Sequence, residues 1–322
     1  MIYVENEYAT LRKVVLAVSE FGYAKKVRQD DLRFLQEVSI KDIEEHKGKD
    51  FREAHPELQK RWEQERNDLQ QVLEKYGVQV LRPRKLTDVE KEAAGDDGYS
   101  NFFVRDPFFT IGNCVIEGSM RFLHRRREVF PVRKIMREEV YPADCFYLAT
   151  PSPEVTSPDD PTLGAGPFLE GGDVMVLGDT ILVGNSGLAS NTAGAEWLRK
   201  FLGKFGYRVE MVRLDPNILH LDCALGLIRN GLMVACEDAF PDGIPAIFKD
   251  WKKIHVSMEE ATMLATNGLP ISSEVYITDP VFTSIGEQLA AYGIHVEYID
   301  FQISRSFGGS FRCSTQPLLR KD

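Results

Sequence analysis

Three segments of the chain share one local grammar. Lys75-Tyr76-Gly77-Val78-Gln79-Val80, Lys204-Phe205-Gly206-Tyr207-Arg208-Val209 and Ala291-Tyr292-Gly293-Ile294-His295-Val296 each run from an aromatic residue through glycine into an alternating strand. Each follows a helical period. Leu58, Trp62, Leu69, Val72, Leu73 and Tyr76 fall on one face of the first helix, and Trp197, Leu198, Phe201, Leu202 and Phe205 on one face of the second. A glycine just past the last apolar helical position suits the left-handed conformation that ends a helix, which other residues adopt at a cost.

A second unit recurs between these. Phe108 to Ile116 turns at Gly112-Asn113, Val174 to Val183 at Gly178-Asp179, and Leu225 to Ala235 at Asn230-Gly231. These are hairpin signals. Hairpin, helix and glycine-turned strand together predict one α/β module used several times in a closed, propeller-like array within a single domain spanning residues 1–322. The competing reading is that helix–glycine–strand is ordinary α/β grammar.

Two stretches stand apart from the repeats. Residues 25–70 are highly charged and read as an outer helical insertion. Residues 151–167 hold Pro151, Pro153, Pro158, Pro161 and Pro167 and read as a loop leading into Leu169-Glu170-Gly171-Gly172-Asp173.

With 43% hydrophobic residues the chain has apolar material for one large core or two modest ones. A formal net charge of −10 argues against nucleic acid or an anionic membrane as partner and favours a cationic small molecule. Five cysteines without a close pair form neither a disulfide framework nor a zinc-ribbon spacing. The apolar run Lys13 to Val18 is too short for a signal-peptide core or a membrane span, and no run elsewhere reaches the length of a span. A cytoplasmic enzyme is the expectation, with homo-oligomerisation left open.

Four short segments carry unusual chemistry. Arg105-Asp106-Pro107 sets a carboxylate among Phe102, Phe103, Phe108 and Phe109; alone it also reads as an ion pair or turn cap. Glu170-Gly171-Gly172-Asp173 places two carboxylates around glycines that permit close backbone approach, or is a plain turn into a strand. His220-Leu221-Asp222 lies in a strand-like run, where residues two apart share a face, so a carboxylate can fix and raise an imidazole. A metal site is the rival idea for that pair, and a structural histidine the plain one. Cys313 sits in Gly308-Gly309-Ser310-Phe311-Arg312-Cys313-Ser314-Thr315-Gln316-Pro317, a polar segment whose adjacent arginine favours thiolate. Cys114, Cys223 and Cys236 lie in apolar strands and read as core.

Together, in this order, the four segments resemble the guanidino-group-modifying (pentein) superfamily, which contains arginine deiminase, dimethylarginine dimethylaminohydrolase and the amidinotransferases. The resemblance runs from about residue 8 to residue 317. It implies a five-bladed, pseudo-symmetric α/β propeller of ββαβ modules. It also implies Cys313 as nucleophile, His220 as acid and base, and Asp106, Glu170 and Asp222 as carboxylates around the guanidinium and the histidine, with Asp173 beside them. No metal or organic cofactor is expected. A non-catalytic binding protein on the same fold is a distant alternative, since none of these residues is missing.

The same resemblance divides on the second substrate. Val104 to Asn113 and Phe311-Arg312-Cys313 resemble arginine deiminase; Leu169 to Val174 and Gly194-Ala195-Glu196 resemble the dimethylaminohydrolases. Ile116-Glu117-Gly118-Ser119-Met120, Gly194 to Arg199 and the charged insertion resemble amidinotransferases, which usually carry aspartate and alanines where this chain has Glu170-Gly171-Gly172. Hydrolysis is favoured, with amidino transfer as the alternative. By spacing from Asp106, Arg125 matches a deiminase arginine that binds the substrate carboxylate, while Leu188 stands nearest a second such arginine.

Overall fold

The computed structural model describes residues 1–154, 156–157, 160 and 162–322. Pro158 and Pro161 of the proline-rich stretch lie outside the described residues. Among the described residues, five sheets repeat one pattern: an antiparallel strand pair, a helical connection, and a third strand parallel to the second. Blade 2 pairs Phe108–Ile111 with Cys114–Glu117 and adds Phe146–Ala149. Blade 3 pairs Val174–Leu177 with Thr180–Asn185 and adds Arg208–Arg213 after the helix Thr192–Leu202. Blade 4 uses Leu225–Arg229, Leu232–Ala235 and Lys252–His255. Blade 5 uses Leu269–Ser272, Val275–Thr278 and His295–Tyr298, with Thr283–Ala291 as its helix.

Blade 1 is assembled from both ends of the chain. Thr315–Arg320 runs antiparallel to Leu11–Leu16, and Gln79–Leu81 lies parallel on the other side of that strand. The connecting helix is Pro56–Lys75. Its Trp62, Leu69 and Leu73 are fully buried, each worth about 1.5–3 kcal/mol of transfer free energy. The charged stretch therefore divides: 56–75 is the helix of blade 1, whereas Gln29–Leu32, Glu37–Glu45 and Phe51–Ala54 lie outside the blades. The apolar stripe of Trp62, Leu69 and Leu73 makes the difference, since Gln29–Leu32 and Glu37–Glu45 bury no residue.

Gly77, Gly206 and Gly293, with φ of 76°, 85° and 76°, end their helices in the left-handed region as the repeats predict. Blade 4 departs from the pattern. Pro241, Gly243 and Pro245 interrupt its connection, which carries only the short turns Glu237–Ala239 and Ala246–Phe248. Apolar cores fill the spaces between neighbouring blades. Phe109, Ile116, Val176 and Ile181 pack between blades 2 and 3, and Val14 and Leu16 of blade 1 pack with Leu269 and Ile277 of blade 5. No helix among the described residues is long and apolar enough to cross a membrane.

Candidate active site

The residues singled out by sequence converge because they occupy the same place in successive blades. Asp106 immediately precedes blade 2, Glu170 and Asp173 precede blade 3, His220 and Asp222 precede blade 4, and Cys313 precedes the Thr315–Arg320 strand of blade 1. Blade 5 contributes from the corresponding position as well, through Asn267, which sequence reading missed. Its Oδ1 accepts from the backbone N–H of Ser310 at 3.0 Å and of Cys313 at 3.2 Å, so it pins the segment that carries the thiol. A lone asparagine before glycine reads as a turn, and only its equivalence to the other four positions marks it.

His220 is buried, with Nε2 2.9 Å from Glu170 Oε2 and Nδ1 3.8 Å from Asp106 Oδ1. Burial disfavours its charge, but Asp106, Glu170 and Asp173 outweigh that and raise it to about 10. Asp106 accepts from Arg125 Nη2 at 2.7 Å and from the Gly172 N–H at 2.8 Å. Against its own burial, His220 and Arg125 hold Asp106 below the usual carboxylate range. Glu170 accepts from the Arg121 N–H at 2.9 Å on its other oxygen.

Five sequence readings change here. First, His220 and Asp222 do not share a strand: His220 caps the turn Leu221–Cys223, and its carboxylate neighbours are Glu170 and Asp106. The turn rotates Asp222 away, onto Arg312 Nη1 at 2.9 Å and Cys313 Sγ at 3.5 Å. Second, Arg312 does not make Cys313 a thiolate. Its charge is taken up by Glu7, at 3.1 Å, and by Asp222. Burial and the carboxylates of Asp222 and Asp106 push the thiol well above its ordinary value.

Third, Arg125 does not wait for a substrate carboxylate. Its guanidinium reaches Asp106 at 2.7 Å, Glu128 at 2.8 and 2.9 Å, and Glu170 at 3.5 Å. Glu128 was not signalled beyond its i,i+3 spacing from Arg125. Fourth, Asp173 faces the scaffold: its oxygens accept from the backbone N–H groups of Leu221 at 3.0 Å and Ser190 at 3.1 Å. Burial pushes it up to about 7. Arg105 is no ion-pair partner of Asp106 either, its Nε donating to the Arg312 carbonyl.

Asp106, Glu170 and His220 also offer ligand-type atoms within 4.8 Å of one another, the grouping a metal reading needs. In this structure the positive charges against both carboxylates are the guanidinium of Arg125 and the imidazole of His220. Beside the site, a cavity of about 660 Å³ is lined by Lys25, Lys26, Arg28, Lys47 and Arg121, with Asp30 and Asp160 among them. Arg121 joins the two regions, since its backbone holds Glu170 while its side chain reaches Asp30 and the Leu188 carbonyl. Cys114, Cys223 and Cys236 are buried as expected, and all five cysteines are free thiols.

A family model described as N,N dimethylarginine dimethylhydrolase, eukaryotic, matches residues 33–320. The chain belongs to that family. It is thereby a member of the guanidino-group-modifying superfamily. Inosamine-phosphate amidinotransferase 1 of Streptomyces glaucescens is 25% identical over 99% of this chain and 97% of its own length. A shorter match, 34% identical, covers 35% of this chain and 40% of the uncharacterized protein YkgA of Bacillus subtilis. Among solved structures, the inosamine-phosphate amidinotransferase StrB1 of Streptomyces griseus superimposes with a TM-score of 0.80 at 22% identity, covering 100% of this chain and 97% of that one. The dimethylarginine dimethylaminohydrolase of Pseudomonas aeruginosa, a mutant complexed with citrulline, gives 0.66 at 19%, covering 96% and 99%. These likenesses identify the five blades of this pentein as the α/β propeller.

The two central glycines of this pentein's Glu170-Gly171-Gly172 are sterically enforced. A Cβ on Gly171 would lie 2.0 Å from the Arg105 carbonyl oxygen, and one on Gly172 2.6 Å from His220 Nδ1 and 2.7 Å from Asp106 Oδ1. Gly172→Ala is accordingly expected to wedge His220 from Asp106. Displacing a positioned group by about 1 Å costs on the order of a hundredfold, so kcat/KM should fall by about that factor with the folded state retained in circular dichroism. Unchanged kinetics in the alanine variant would mean that His220 and Asp106 need not stay in register.

Proposed function

We propose that the chain is a cysteine-dependent hydrolase of a guanidino compound, with Cys313 as nucleophile and His220 as acid and base. The observation that carries this reading is that Asp106 and Glu170, flanking His220, already hold a guanidinium, that of Arg125. Delocalisation over three nitrogens makes a guanidinium carbon a poor electrophile, and carboxylates that hold it planar and desolvated favour addition to it.

A substrate cation bound near Cys313 supplies the positive charge that the thiol lacks in the free protein, so binding favours loss of the thiol proton to solvent. The thiolate adds to the guanidino carbon. His220, held as imidazolium, protonates the departing nitrogen as its C–N bond breaks, leaving a thiouronium on sulfur. The neutral imidazole then takes a proton from water, whose oxygen attacks the same carbon; the C–S bond breaks with its electron pair returning to the Cys313 sulfur, which is reprotonated as the remaining hydroxyl proton is lost, and the ureido product leaves. Asp222 sits beside the sulfur throughout. The cationic cavity beside Glu170 suits an anionic end on the substrate, as in a guanidino acid.

Water as second substrate is supported by the dimethylhydrolase family match and by Glu170-Gly171-Gly172, whose surroundings leave no space for the alanines usual in amidinotransferases. Transfer to an amine is the second reading, favoured by the near full-length similarity to an amidinotransferase. Incubation in oxygen-18 water with arginine, methylated arginines and shorter guanidino acids separates them. Hydrolysis predicts turnover without an acceptor and label in the ureido product. Turnover that stalls after one equivalent until glycine, lysine or ornithine is added, with no label, would establish transfer instead.

A further inference from the structure

We infer that Asp42, His46 and His55 form a second site, for a divalent transition-metal ion of the zinc class, in the helical insertion away from the guanidino chemistry. The three side chains come from two elements. Asp42 lies on the helix Glu37–Glu45 and His46 caps its end, so the two project from one face, one turn apart. His55 is the residue before Pro56, at the head of the helix Pro56–Lys75.

Both imidazoles address the same carboxylate oxygen. Asp42 Oδ1 is 2.7 Å from His55 Nε2 and 3.1 Å from His46 Nδ1, and the three ligand atoms all lie within 4.8 Å of one another. Bonds of about 2.0–2.1 Å in a tetrahedral zinc site place ligand atoms roughly 3.4 Å apart. Opening the cluster by about half an ångström in side-chain torsions therefore makes room for the ion. The second carboxylate oxygen, Oδ2, accepts from the Tyr23 hydroxyl, an outer contact that fixes the carboxylate with Oδ1 towards the imidazoles. The rings of Phe51 and Tyr23, centred 5.1 Å from His55 and 5.7 Å from His46, wall the site. The three side chains keep 31%, 19% and 21% of their surface exposed, which gives the ion an entry path and leaves a coordination position for water.

Without metal, His46 Nδ1 also lies 3.0 Å from the Asp42 carbonyl oxygen, a suitable acceptor for a proton on that nitrogen. Coordination at Nδ1 shifts that proton to Nε2 and keeps the ring neutral; a doubly protonated imidazole has no lone pair to offer, so binding weakens on acidification. An ion held here ties the helix Glu37–Glu45 to the blade 1 helix, and so anchors the insertion whose residues Lys25, Lys26, Arg28, Asp30 and Lys47 line the cationic cavity.

The test is a zinc titration of the full-length, chelator-stripped protein against a chromophoric competitor, with cobalt substitution for spectroscopy. One equivalent should bind to wild type and to Cys313→Ser alike, and raise the thermal midpoint of both. His46→Gln and His55→Ala should each weaken that equivalent by at least tenfold and lose the thermal shift, with far-ultraviolet circular dichroism unchanged. The cobalt form should show tetrahedral bands without thiolate charge-transfer absorption. Absence of zinc binding, equal affinity in wild type and both histidine variants, or a thiolate band would overturn the site. Guanidino turnover by the stripped protein is a separate reading, so failure of the metal site and failure of the proposed chemistry remain distinguishable.

Discussion

Cys313→Ser is expected to abolish turnover, with kcat reduced by roughly four to six orders of magnitude, because a hydroxyl in this position is neither ionised nor a comparable nucleophile. The electrostatics make a sharper statement about the wild-type thiol. Burial and the carboxylates of Asp222 and Asp106 raise it well above the ordinary thiol value, so at neutral pH the free protein carries S–H. A neutral alkylating reagent such as iodoacetamide should therefore react slowly at pH 7 and accelerate as pH rises through and beyond the usual thiol range. A cationic chloroacetamidine seated against Asp106 and Glu170 brings its own positive charge to the sulfur. It should label Cys313 faster at neutral pH and with a shallower pH dependence. Peptide mapping and the two pH–rate profiles check this. Activity retained in the serine variant, or labelling at another cysteine, would refute the nucleophile assignment.

Arg125→Ala should destabilise the protein by about 3–5 kcal/mol, the usual consequence of removing one partner from buried charges. Asp106, Glu128 and Glu170 are all buried and all within 3.5 Å of its guanidinium, so truncation leaves Glu128 without a cation and Asp106 and Glu170 with His220 alone. Glu128, which burial already pushes up to about 7, loses the arginine that holds it down. Urea denaturation should show a lower midpoint with an unchanged slope. Arg125→Lys keeps a charge but cannot span three carboxylates, and should fall between. The role suggested by spacing alone, a hand for the substrate carboxylate, predicts the opposite: unaltered stability and a raised KM.

The local signals in the chain were legible where physics is local. Gly77, Gly206 and Gly293 announced helix ends because the left-handed turn nearly requires glycine there. The hairpins at Gly112-Asn113, Gly178-Asp179 and Asn230-Gly231 announced blades 2, 3 and 4. The hairpin of blade 5 turns at Ser273-Glu274 without such a residue, and went unseen. The closure of blade 1 was invisible for a different reason: its helix and its Gln79–Leu81 strand follow the repeat, but its central pairing joins Leu11–Leu16 to Thr315–Arg320, and nothing in either segment names the other.

For the site, the residue types were readable but their partners were not. Alternation placed Asp222 beside His220, yet a single turn from Leu221 to Cys223 gives that carboxylate to Arg312 and Cys313. Arg312 reads as an activator of its neighbouring cysteine until Glu7, far away in sequence, neutralises it. Asn267 and Glu128 carry no motif, and become visible only when the blades are laid beside one another or Arg125 is seen in place.

The pairing of Thr315–Arg320 with Leu11–Leu16 has a bearing on biogenesis. The segment carrying Cys313 acquires its place only when the ring is zipped shut, by the same strand that zips it. On the proposed chemistry, a chain in which that pairing has not formed lacks its nucleophile even where Asp106, Glu170 and His220 are in place. Under that proposal chemical competence is interlocked with completion of the fold, and a chain whose closure fails is expected to be inert as well as misassembled.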